Sequence, residues 1–252
     1  MICSSKAIVI KSVDYRESSK IVTALTEKHG KIAFMARGAR KPKSALSGKM
    51  QVGQMLEIEY YYKSTRSVQN IKEVSYWQRL SHIYTDFHKW AVAVASIETT
   101  QQLVQEGENN PDIFYFLANL LPWVEAAESN PGYIFPYILL RLADIMGIGL
   151  QLGGGLNHMN SEESMKANSP LHINVEDGAL SPEASGSHAY RLTERQSQYV
   201  IWSLTGKSGK IVNLNLTTEE LNDLIRYIDN YMRYHLDDLK PRISDNIFQQ
   251  IL

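Results

Sequence analysis

The spacing of hydrophobic residues changes near residue 80, and that change constrains the fold more than any single motif does. Up to about residue 77 apolar positions run together or alternate as in strands. "KAIVIKSV" and "KIVTALT" are rich in Ile and Val, "KHGK" makes a turn around Gly30, and "KIAFMAR" follows as a third strand. "MLEIEYYYK" alternates, with Leu56, Ile58 and Tyr60 on one face and Glu57, Glu59 and Tyr61 on the other. "SVQNIKEVSYW" supplies a fifth strand. Five short strands in about 75 residues, with a Gly/Pro/Ser-containing loop between the third and fourth, predict a small closed or partly closed barrel. Closure removes the unpaired edges that so short a sheet would otherwise expose.

From about residue 82 the period becomes helical. Ile83, Phe87, Trp90, Ala91, Val94 and Ile97 recur on one face, with Gly107 as a stop. "NNPDIFYFLANLLPWVEAAE" and "NPGYIFPYILLRLADIMGIG" each start with Asn-Pro, which suits a first helical turn; the second is expected to end at Gly147 or Gly149. Residues 150–191 are dense in Gly, Ser, Asn and Pro and read as an insertion. Helical order then resumes. Thr193 with Gln196, and Thr217 with Glu220, have capping-box spacing. Leu221, Leu224, Ile225, Ile228 and Met232 share a face, and "PRISDNIFQQIL" reads as a closing helix. The chain is thus α+β: a barrel domain over 1–79, then a mainly helical domain over 80–252 that carries the insertion.

The chain's 252 residues, 44% of them hydrophobic, can bury one large or two modest cores. No apolar run approaches the ~18 residues needed to span a bilayer. "MICSSKAIVIKSV" reads as a strand and lacks a small-residue cleavage site, so a cytoplasmic protein is expected. Cys3 is the single cysteine, which rules out an intrachain disulfide and any site built on several thiolates.

A net charge of −1 conceals a strong polarity. Residues 1–75 hold 14 Lys+Arg against 6 Asp+Glu, a net of +8, whereas the rest hold 12 against 21, a net of −9. A basic module joined to an acidic one points to a polyanion as partner for the first. The charge is densest in "ARGARKPKSALSGKMQ", where Arg37, Arg40, Lys41, Lys43 and Lys49 meet no acidic side chain. A run of this kind is often only a solvated loop. Here the surrounding strands add Lys6, Lys11, Arg16, Lys20 and Lys31, so cations surround one small module. Such groups neutralise phosphates without regard to sequence. Aromatic residues are the other requirement for binding single strands, because every base has a face that stacks. "EYYYK" offers Tyr60, Tyr61 and Tyr62; alternation turns about half of such residues inward, and Tyr62 is the candidate to touch a base.

Other chemistries find little support. Gly206-Lys207-Ser208 ends like a phosphate loop, but Ile201 occupies the position that motif reserves for its first glycine. Gly153–Gly155 lack dinucleotide-binding spacing. His158, His172 and His188 match no compact zinc pattern, and neither "GxSxG" nor "HExxH" occurs. A metal-dependent nucleic-acid-processing enzyme would need clustered carboxylates, for which Asp223, Asp229, Asp237 and Asp238 are available but fit a solvated helical face. A scaffold that binds only protein would leave the basic loop without a role.

The segment "AIVIKSVDYRESSKIVTALTEKHGKIAFMARGARKPKSALSGKMQ" resembles the N-terminal signature of the bacterial recombination mediator family RecO. The shared features are "Y-x-E-S" at Tyr15–Ser18, Thr26-Glu27, Gly30 and "ARGAR-x-x-x-S-x-L-x-G". Further on, "YILLRLADIMGIGLQL" is similar to the family's helical motif, with Arg141 at its arginine. The resemblance implies an oligonucleotide-binding (OB) barrel followed by a helical domain, and a protein that is not an enzyme and takes no cofactor. It implies binding to single- and double-stranded DNA, annealing of complementary strands and, with RecR, help in loading RecA onto strands coated by single-strand-binding protein. It also implies a nucleoid-associated place in the cytoplasm, and an acidic tail of single-strand-binding protein docking near Arg141. Many relatives carry a four-cysteine zinc element where residues 150–191 stand. This sequence has no cysteine there, so metal cannot hold the segment, although "LHINVEDGALS" can still form a hairpin around Gly178.

Overall fold

A computed structural model describes residues 1–128, 131–154, 156 and 170–245. His158, much of the insertion and most of the expected closing helix lie outside the described residues. The chain divides into two compact units, Met1–Ala127 and Glu128–Leu252.

In the first unit five strands close into a barrel: β1 (Ile2–Tyr15), β2 (Ser19–Thr26), β3 (Gly30–Ala36), β4 (Met55–Tyr61) and β5 (Val68–Gln78), ordered β1-β2-β3-β5-β4. All neighbours are antiparallel except β3 and β5, which run parallel over Ala33–Val68, Phe34–Gln69 and Met35–Asn70. Register shifts in β1 between Val9 and Lys11, and in the β4–β5 ladder, let so few strands coil tightly enough to close. Leu56, Ile58 and Tyr60 face the interior with Ala7, Val9, Val22, Ala24, Phe34 and Val74, whereas Glu57 and Tyr61 are exposed. The apolar run Ala7–Ile10 is buried throughout. A strand buried on both faces reads this way, and here α1 (Phe87–Leu103) packs against the outside of β1.

Helix α1 departs from its expected face. Asp86 accepts the amides of His88 and Lys89, so the helix begins at Phe87, leaves that ring 52% exposed and places buried Ile83 before the first turn. It ends at Leu103, ahead of Gly107. Residues from Ala91 to Thr100 are buried on almost every side, so periodicity carries little information about orientation. The hydroxyls of Ser96, Thr99 and Thr100 are satisfied by donating to carbonyls four residues earlier. Helix α2 (Pro111–Ala126) starts as expected, with Asn110 accepting the Ile113 amide and Pro111 in the first turn.

In the second unit, α3 (Phe135–Ile145) is shorter than its sequence pattern suggested. A 3-10 turn, Pro131–Ile134, precedes it, and Pro136, which has no amide to donate, sits in the first α-helical turn. A small sheet follows in the order β6-β8-β7-β9, from β6 (Gln151–Leu152), β7 (His172–Asn174), β8 (Ala179–Ser181) and β9 (Ala189–Arg191). The hairpin β7–β8 turns at Gly178, whose φ of 62° suits glycine. No thiolates hold it. Leu171, Ile173, Val175 and Leu180 are buried beneath it, and Asn174 Nδ2 donates to Ser181 Oγ and the Glu183 carbonyl while its Oδ1 accepts the Ser185 amide.

Both capping boxes form, on α4 (Glu194–Leu204) and α5 (Thr218–His235). They also interlock. Glu220 caps its own helix and accepts Thr193 Oγ1 at 2.8 Å, while its carbonyl accepts Gln196 Nε2 at 2.6 Å.

Candidate nucleic-acid interface

The loop between β3 and β4 is a built structure. Ala39 and Met50 are fully buried, and with Leu46 they pack onto the barrel core like stoppers. The Arg40 amide donates to the Ser18 carbonyl at 3.0 Å, tying the loop to the β1–β2 turn. Arg16 and Lys43 hold positive φ angles of 53° and 65°, and both are exposed. Between the β1–β2 turn and the loop lies a groove of about 820 Å³ lined by Arg16, Arg37 and Lys41 against a single carboxylate, Glu17, with Tyr15, Met35, Val68 and Asn70 among its other walls.

The cations singled out from sequence fall into four groups. Arg16, Arg37 and Lys41 converge on the groove. Arg40 stands beside it, donating to the Arg16 carbonyl at 2.6 Å and pairing with Asp14 at 3.2 Å; Lys20 pairs with the same Asp14 at 3.4 Å. Lys11 and Lys43 are exposed. The rest are occupied structurally. Lys6 lies 4.5 Å over the Trp77 ring, which stacks on Phe114 of α2. Lys49 donates to the Val74 carbonyl at 2.7 Å and lies over Tyr76. Lys31 donates to the carbonyls of Gln101 and Val104 at the end of α1, and burial lowers the pKa of its ammonium, an effect that Glu106 partly offsets.

Tyr62 stacks on His29, with ring centroids 4.3 Å apart. The His29 Nδ1 lies 2.6 Å from the hydroxyl of buried Tyr60. Burial, together with the neighbouring Lys28, lowers the His29 pKa and so favours the neutral ring. His29 and Tyr62 line a second cleft of about 400 Å³, with Lys31, Ala33, Arg66, Gln69 and one carboxylate, Glu106, among its other walls. Neither His29 nor Arg66 stood out in the sequence. Their only signal was position, one in the β2–β3 turn and one in the β4–β5 loop, which the barrel brings together.

In the second unit, Arg141 is half exposed and paired with Asp144 at 2.7 Å. Of the four carboxylates open to a metal-dependent enzyme, Asp223 pairs with Arg226 at 2.6 Å and Asp229 with buried Arg242, whereas Asp237 and Asp238 are exposed. Among the described residues no group of three or more His, Cys, Asp or Glu side chains is placed to hold a metal ion, and no helix is long and apolar enough to cross a membrane.

Residues 1–79 match the family model for the N-terminal domain of recombination protein O, and residues 84–243 match the model for its C-terminal domain. The DNA repair protein RecO of Salinibacter ruber is 25% identical, across 99% of this chain and 94% of that protein. The RecO of Chlorobium limicola is 27% identical, across 94% of each chain. That of an Exiguobacterium species is 27% identical, over 89% of this chain and 87% of its own. With both domain models matched in order, on a closed barrel followed by helices and a small sheet, the chain belongs to the RecO family of DNA repair and recombination proteins.

Proposed function

We propose that the groove bearing Arg16, Arg37 and Lys41 binds the backbone of single- and double-stranded DNA. On this reading the protein is a recombination mediator without catalytic groups: it anneals complementary strands and, with RecR, assists RecA in replacing single-strand-binding protein. The observation that carries the reading is the convergence of three cations from two separate loops on one groove, with the loop between β3 and β4 anchored by buried Ala39 and Met50. Preorganised cations neutralise phosphates and release counterions. Two strands screened side by side repel each other less, and base pairing then drives annealing. Arg37 can also grip a phosphate with two parallel N–H donors.

The test is fluorescence anisotropy of a labelled mixed-sequence single strand across a salt series. The Arg37→Glu/Lys41→Glu double variant is expected to bind far more weakly. Its log–log salt slope should fall by about 1.4, two contacts at ~0.7 each. Annealing of a complementary strand should slow in parallel, and added magnesium should cleave nothing. Unchanged affinity and annealing in a folded variant would defeat the proposal, while cleavage would favour the metal-dependent alternative. For the helical unit, Arg141 is proposed to meet a carboxylate of the single-strand-binding-protein tail by exchanging its exposed pairing with Asp144. Normal tail-peptide binding by Arg141→Ala would remove that assignment.

A further inference from the structure

The two concavities on the barrel are neighbours along one seam. Ala33, on the wall of the His29–Tyr62 cleft, is register-paired with Val68, on the wall of the Arg16–Arg37–Lys41 groove. Successive outward positions of β3 lead from Ala33 to Met35, which lines the groove, and on to Arg37. Ala33 has no side chain beyond Cβ, so it raises no wall between the two. The far cleft is also braced. Gln69 is only 3% exposed and donates through Nε2 to the carbonyls of Lys63 and Arg66, while its Oε1 accepts the Lys63 amide. A buried side chain therefore fixes the loop that presents Arg66.

We propose that His29 and Tyr62 form a nucleobase-stacking shelf, and that one single strand runs from the groove across the β3–β5 seam to this shelf, with Arg66 on its backbone there. The inference rests on the DNA-binding reading above and adds where bases, as distinct from phosphates, are held. The groove supplies charge and the shelf supplies aromatic faces, the two ingredients of sequence-tolerant single-strand binding. Tyr62 is already held by His29, and His29 by Tyr60, so little side-chain freedom is lost when a base stacks on the pair.

The test compares a labelled 12-mer of thymidine with a 12-mer of the same backbone lacking bases. Wild type should bind the thymidine strand more tightly. Tyr62→Leu, which keeps apolar packing against the core, should weaken the thymidine strand about tenfold, with the salt slope and the affinity for the base-free strand unchanged. Arg66→Ala should weaken both strands and lower the slope by about 0.7. As a readout independent of variant folding, 2-aminopurine is moved along the strand in complex with wild type, and quenching is expected at the shelf position. Equal binding of the two strands by wild type, an equal loss for both in Tyr62→Leu, or no quenching at any position would overturn the shelf while leaving the groove in place. Failure of wild type to bind either strand at low salt would instead remove the DNA-binding reading itself.

Discussion

Lys31, one of the cations that the sequence places around the barrel, serves the fold. It alternates outward on β3 with Ala33 and Met35, but the outside of the barrel at that point is covered by the end of α1, whose last carbonyls lack helical donors. Its ammonium supplies them. Replacing it with Met keeps the stem and removes two charge-assisted hydrogen bonds, so Lys31→Met is expected to cost about 1–2 kcal/mol in urea denaturation. Lys31 also lines the His29–Tyr62 cleft, so the salt slope for DNA separates its roles: an unmoved slope marks it as a brace for α1 alone, and a slope lowered by about 0.7 marks it as a phosphate contact as well. Arg37 and Lys41 could be read from sequence because they sit in a loop with no acidic neighbour. Nothing local could show that Lys31 faces carbonyls some 70 residues ahead, or that His29 stacks on Tyr62.

At the scale of elements, strand alternation and capping spacing placed the barrel and the starts of α4 and α5, because both signals are local. The face of α1 was not legible. A helix buried on nearly all sides has no polar stripe to set its phase. Nor was the interlock of the two capping boxes, which depends on Glu220 reaching across to Thr193 and Arg195 as well as to its own Thr217 amide. Several hydrogen bonds converge on this carboxylate, which burial pushes up in pKa and those bonds pull down further, to a net lowering. Thr217→Ala removes one cap and should cost about 1 kcal/mol. Glu220→Ala loosens both helix starts and should cost about 2–3 kcal/mol, with a coupling to Thr193→Ala of at least about 0.5 kcal/mol in a double-mutant cycle. Strict additivity in thermal or urea unfolding would mean that the link between the two helices carries no energy.

At the scale of the whole molecule, the charge polarity of the sequence has a structural counterpart: a basic barrel whose cations gather in loops, and a second unit in which Arg141, Arg195, Arg226 and Arg242 are matched with carboxylates. The barrel's one parallel ladder has a further consequence. Its β3–β5 pairing spans three residue pairs, against seven or eight in each of the other ladders. A cylinder gives way where its joint is shortest, so the amides of Val68–Asn70 should exchange with deuterium sooner than those of β1 and β2. A strand lying across that joint would act as a suture, and exchange at Val68–Asn70 should slow when the 12-mer is bound. The barrel would then be least able to breathe while loaded with DNA, and release of the strand would become linked to the loosening of its own weakest joint.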